Sequence, residues 1–132
     1  MALSYVLDTS AYSAFYQGDA RLKPYFKSEF TLLIPLLVIG ELRAGFAVGN
    51  QTATNEANLQ RFLDSPTVQI IAPTVKTSEL FAKIYATLRR QGTPIGTSDM
   101  WIAASAIEQQ AQLVTLDADF QHIPDLALAQ II

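Results

Sequence analysis

Residues Ser4–Tyr12 read SYVLDTSAY. Tyr5, Val6 and Leu7 form an apolar run that stops on a carboxylate, Asp8, and two small hydroxyl residues follow at Thr9 and Ser10. A short apolar run bounded by turn-forming residues predicts a buried strand, here Ser4 to Leu7. Ser10 is a good N-cap for a short helix from about Ala11 to Gln17, which Gly18 ends. A strand running directly into a helix opens an α/β pattern. A neutral turn residue would end such a strand equally well, so the acid at its tip asks for a reason.

Further along, strand-like and helix-like segments keep alternating, with no internal repeat and no linker, as in a mainly parallel sheet. Ala20 to Lys27 reads as a short helix weakened by Pro24. Thr31 to Pro35 is the second strand, and LLVIGELRAGF (Leu36–Phe46) the helix after it. A further helix runs through Asn55, Leu59 and Phe62 and stops before Pro66. Val68 to Pro73 is the third strand. Thr74 to Gln91 is the longest helix, with Leu80, Phe81, Ile84, Tyr85 and Leu88 as its apolar stripe and Gly92 beyond its end. SDMWIAASAIEQQA (Ser98–Ala111) is another helix, Gln112 to Asp117 the fourth strand, and LALAQII (Leu126–Ile132) a short fifth.

In a parallel sheet the C-terminal ends of the strands share one edge. Asp8 and Asp117 end strands one and four. If each intervening helix runs back antiparallel, it starts at that edge. Asp99 lies in the first turn of the helix before strand four, with Thr97 and Ser98 available as caps. Glu41 lies about two turns into the helix after strand two. Open α/β sheets bind ligands at this edge, where strand order reverses. Asp99 is in phase with Ile102, Ala103, Ala106 and Ile107, and Glu41 with Leu37, Val38 and Gly45. Both acids are therefore expected to continue inward stripes that carry no Lys or Arg. Gathered, unpaired carboxylates repel one another and raise their own pKa values. A hard divalent cation, Mg²⁺ or Mn²⁺, resolves that conflict with oxygen ligands and retained water. Such an ion acidifies its water and stabilises charge on a phosphoryl oxygen, which suits phosphodiester hydrolysis.

Composition narrows the alternatives. Half of the 132 residues are hydrophobic and 16% are charged, so the chain is globular and large enough for one domain with a proper core, residues 1–132. Cysteine is absent, which excludes disulfides and thiolate metal sites and is compatible with a cytoplasmic protein. No signal peptide or membrane span is evident. The single histidine, His122, reads as a surface residue, not a catalytic base. The net charge of −3 argues against broad nucleic-acid binding. That argument weakens if Asp8, Glu41, Asp99, Asp117 and Asp119 are pooled at one pocket or its rim, because seven acids then remain against nine bases.

Four stretches then stand out together: YVLDTS (Tyr5–Ser10), IPLLVIGELRAGF (Ile34–Phe46), PIGTSDMWIAASA (Pro94–Ala106) and LVTLDADF (Leu113–Phe120). In order and spacing they resemble the acidic motifs of PIN-domain ribonucleases, and among these the VapC-type toxins of bacterial toxin–antitoxin pairs. Each motif alone is weak; the ordered set of four on a short chain is specific. The resemblance spans about Tyr5 to the end. It implies a three-layer α/β/α sandwich with a parallel sheet of four to five strands, and a Mg²⁺- or Mn²⁺-dependent nuclease site. The family's four acids fall on Asp8, Glu41, Asp99 and Asp117. The resemblance also implies an auxiliary acid at Asp119, acting through water, and ligand-orienting hydroxyls at Thr9 and Thr115 beside the first and fourth acids; the residues themselves read equally well as an ordinary acid and plain strand-end hydroxyls. The resemblance also implies an RNA substrate, cleavage leaving a 5′-phosphate and a 3′-hydroxyl, a homodimer and a small inhibitory antitoxin.

Other readings fit less well. An aspartyl-phosphate phosphatase wants a second acid two residues after the first, where this chain has Ser10. A receiver domain wants an acid after the middle strand and a lysine at a later strand end, and neither is present. A metal-binding domain without catalysis, and an RNA-processing nuclease outside any toxin pair, stay open. Trp101 reads as packing or as a subunit contact. Arg89 and Arg90 read as a basic helix end, with RNA phosphate contact as the rival.

Overall fold

The computed structural model describes residues 3–131. Four short apolar runs become β1 (Ser4–Leu7), β2 (Thr31–Pro35), β3 (Val68–Ile71) and β4 (Gln112–Val114). They form one parallel sheet in the order β3-β2-β1-β4. The register aligns Ser4 with Thr31 and Tyr5 with Gln112, so β1 is central. Three strands step in one direction and the chain then returns to the other side of β1. Strand order therefore reverses at the β1–β4 pair, where α/β sheets bind ligands.

Among the described residues five α-helices flank the sheet: α1 (Thr9–Tyr16), α2 (Leu36–Val48), α3 (Thr52–Leu63), α4 (Val75–Gln91) and α5 (Thr97–Glu108). Crossovers in parallel sheets are right-handed almost without exception. The forward steps thus place α1 to α3 on one face, and the return places α4 and α5 on the other. This is the α/β sandwich the sequence implies. The core runs through Val6, Leu7, Ile34, Val38, Ile102 and Leu113, all buried. Ala103, Ala104 and Ala106 have no exposed surface, and their small side chains bring α5 close to its neighbours. No helix among the described residues is long and apolar enough to cross a membrane.

Several boundaries differ from the expectations for physical reasons. Helix α1 is capped by Asp8, whose carboxylate accepts from the Ala11 N–H, and Ser10 lies inside the first turn. Ala20–Phe26 is a 3-10 helix containing Pro24, since proline cannot supply an amide to an α-helical ladder. Strand β4 ends at Val114, because Thr115 to Asp117 turn away to make side-chain bonds. The terminal segment is no regular strand. It makes one parallel bridge, Leu113 to Leu128, with backbone bonds of 2.9 Å from the Leu113 N–H to Ala127 and from the Ala129 N–H to Leu113; Ile132 lies outside the described residues.

Helix α4 does not start at the C-terminal edge. It packs along α5 as an antiparallel hairpin. Thr74 at its start donates to Glu108 at the far end of α5 at 2.6 Å, and Thr77 donates to the same carboxylate. The Thr74–Thr77 capping box fixes this end. Gly92, at φ +74°, closes the other end, beside the start of α5. Arg89 and Arg90 are thereby carried to the end of the hairpin where Asp99 lies.

Candidate functional site

Asp8 is the most buried acid of the set, 4% exposed, at the tip of the central strand. Its Oδ1 accepts from Ser10 Oγ at 2.7 Å and from the Ala11 N–H at 2.9 Å, and its Oδ2 accepts from Thr115 Oγ1. Thr115 is brought there by the β1–β4 pairing, which the bond from the Asp8 N–H to the Val114 carbonyl extends by one residue. Ser10 Oγ also accepts from the Leu116 N–H at 3.0 Å. One hydroxyl thus ties the tip of β1 to the turn after β4. The residue-level reading missed this role of Ser10; a hydroxyl two positions after a strand-ending acid was its only signal.

Asp117 caps a 3-10 helix, Ala118–His122, by accepting from the Asp119 N–H at 2.9 Å, while its own N–H donates to Thr115 Oγ1 at 3.0 Å. Asp119 is exposed. Glu41 accepts from Thr9 Oγ1 at 2.7 Å. The expectation that Glu41 continues an inward stripe fails: Glu41, Gly40 and Gly45 are exposed, and α2 buries Val38, Ile39 and Leu42. Leu36 to Ile39 are all apolar, so a stripe could be drawn through almost any phase of that helix.

The Asp99 stripe holds: Ile102, Ala103 and Ala106 are buried, and Asp99 is half-buried at its head. Neither Thr97 nor Ser98 caps α5. Gly96 occupies the cap position without a side-chain bond, and Thr97 is already helical. A Cβ on Gly96 would stand 3.8 Å from Asp99 Oδ2.

Electrostatics binds these positions into one unit. The Asp99 carboxyl is pushed up to about 6 by its burial and by the charges of Asp117, Glu41, Asp8 and Asp119. Burial pushes the Asp8 carboxyl up as well; its three hydrogen bonds oppose this, and the Asp117 charge adds to it. Among the described residues the ion pairs are Arg21–Asp19, Arg43–Glu56 and Lys76–Glu79, so none of the five acids is neutralised by a base. The donor set is all oxygen, which suits a hard cation. Among the described residues no three acidic or histidine side chains close on one point. An ion held by these acids would therefore keep part of its water shell and be reached by some of them through water. His122 is exposed, and Trp101 stacks on Phe81 at 4.5 Å, in keeping with packing.

Comparison with known proteins gives a consistent picture. A PIN domain model matches residues 5–126. Ribonuclease VapC2 of Rickettsia felis is 31% identical over 99 residues, covering 74% of this chain and 72% of that protein. Ribonuclease VapC1 of Haemophilus influenzae strain R2866 is 32% identical over 96 residues, covering 72% and 70%. The crystal structure of VapBC2 from Rickettsia felis, bound to a DNA fragment from their promoter, superposes with a TM-score of 0.86 at 26% identity, over 98% of this chain and 100% of that one.

Proposed function

The chain belongs to the PIN-domain family, and we propose that it is a Mg²⁺- or Mn²⁺-dependent endoribonuclease, the toxin of a toxin–antitoxin pair, acting as one nuclease domain. The observation that carries this reading is the gathering of Asp8, Glu41, Asp99, Asp117 and Asp119 at one rim with no base to neutralise them; burial first, and then the charges of the other four acids, push the Asp99 carboxyl up to about 6. The names and identity of the two ribonucleases support the choice of RNA.

Asp8, Glu41, Asp99 and Asp117 would hold the ion, directly or through water, with Asp119 assisting through water. When bound, it supplies a water acidified towards neutral pH and positive charge for the phosphoryl group. The chain's own residues do the positioning. Ser10 and Thr115 fix the two oxygens of Asp8, and Thr9 holds Glu41. Water adds in line to the phosphorus and the P–O3′ bond breaks, giving the 5′-phosphate and 3′-hydroxyl the family implies. A carboxylate or a second water takes the proton, since the sole histidine sits exposed at the end of its 3-10 helix. The partners are RNA, a second copy of the chain and a small antitoxin.

The test is cleavage of total RNA with Mn²⁺, with Mg²⁺ and with excess chelator, in wild type and Asp99→Asn. Cleavage is expected with either ion, and is expected to vanish with chelator and in the variant while the circular dichroism spectrum is retained. Cleavage that survives both would refute the proposal.

A further inference from the structure

Where α4 ends and α5 begins lies a cleft of about 120 Å³. Tyr85 and Arg89 from α4, Pro94 and Ile95 from the connecting loop, and Thr97 and Met100 from α5 line it. Three features set this cleft apart. Tyr85 was expected in the buried stripe of α4, yet it is 44% exposed. Arg89 Nη1 donates to the Tyr85 hydroxyl at 2.9 Å, and its guanidinium carbon lies 5.9 Å from the ring centroid, so the cation is held against the ring. Arg89 and its neighbour Arg90 have no acidic partner among the described residues.

The cleft adjoins the acid rim through the loop before α5. Thr97 lines the cleft, Gly96 stands against Asp99, and the first turn of α5 between them has no side-chain cap. Thr97 and Met100, which line the cleft, bracket Asp99 in the first turn of α5.

We infer that this cleft is a nucleobase subsite: it takes one unpaired base from a nucleotide flanking the scissile bond, stacked on Tyr85, with the adjoining phosphates on Arg89 and Arg90. The inference rests on the nuclease reading above. Charge complementarity favours RNA as the occupant, since the Arg89 guanidinium, without an acidic partner among the described residues, stands at an exposed aromatic ring, with Arg90 next to it in the chain, in a chain whose net charge is −3. A base inside an A-form duplex cannot present its face to a protein ring, so the base this cleft takes is an unpaired one.

The test uses a short unstructured RNA and Tyr85→Leu, Tyr85→Phe and Arg89→Ala, none of which removes an acid. KM is expected to rise about 10-fold in Tyr85→Leu, by the usual worth of a base–aromatic stack, with kcat within about 2-fold. Tyr85→Phe keeps the ring and is expected to stay near wild type. Arg89→Ala is expected to lower the slope of log affinity against log salt by about one, measured by fluorescence anisotropy. An abasic site beside the scissile bond is expected to penalise wild type and to add nothing in Tyr85→Leu. Unchanged KM and salt slope would overturn the subsite while leaving the nuclease intact. Anisotropy that depends on Tyr85 and Arg89 in a protein that cuts no RNA would retain the subsite and end the nuclease reading. A shift in oligomeric state on gel filtration in Tyr85→Leu, without an effect on RNA, would assign the face to a second copy and overturn the inference.

Discussion

At the scale of single residues, the site balances charge against position. Asp99 has its folded-state pKa raised from 3.8 to about 6, so its ionised form disfavours the fold. That cost is absent below about pH 4, where the carboxyl is protonated folded or unfolded; it grows between the two values and is complete above about pH 6. Asp99→Asn is neutral at every pH. Without divalent ions it is therefore expected to melt a few degrees above wild type at pH 7.5, and the gap is expected to close as pH falls to 4. A gap that widened towards acid would contradict this sign. Ser10 acts through geometry instead. Ser10→Ala leaves Asp8 one donor short and the Leu116 N–H without its acceptor, and is expected to cost about 1–3 kcal/mol. A lower urea midpoint at unchanged slope would register this loss. The sequence made Asp8 and Asp99 conspicuous because acids ended or headed apolar runs. It left Ser10 looking like a helix cap, since its two partners lie on either side of a β1–β4 pairing that only the fold creates.

At the scale of elements, α5 and its partner α4 decide where the site's outer wall stands. Periodicity revealed both helices, but not the direction of α4. That direction is set at the Thr74–Thr77–Glu108 junction, three residues that look like ordinary surface polar groups in the chain. Thr77 is fully buried, donates to Glu108 and accepts from the Thr74 N–H at 2.8 Å. Thr77→Val keeps the shape and removes both bonds, so it is expected to destabilise by about 1–3 kcal/mol. Because this junction is at the far end of the hairpin from Asp99, cleavage at 20 °C is expected to stay within about 2-fold of wild type. Helix α2 was legible as a helix and illegible in its phase: its first four residues are apolar, and only packing selects Val38, Ile39 and Leu42 as the buried side. Glu41 consequently faces the rim from an exposed position and is held there by Thr9.

At the scale of the whole molecule, topology gathers acids that are far apart in the chain. The reversal of strand order beside β1 sets Asp8 next to the turn that carries Asp117, and α5 delivers Asp99 to the same rim. This much follows from strand and helix order, which is why the candidate site was readable before the boundaries were. The cleft beside it was not, because it depends on a hairpin direction and on one tyrosine turned outward. The central claim is that the gathered carboxylates are neutralised by a divalent cation. Anything that binds the folded state raises its stability in proportion to the logarithm of its concentration. The most direct measurement is the melting temperature at pH 7.5 over a Mn²⁺ series, for wild type and Asp99→Asn. A rise with Mn²⁺ in wild type that is largely lost in the variant is the expected result; no rise in wild type, or an equal rise in both proteins, would contradict the account.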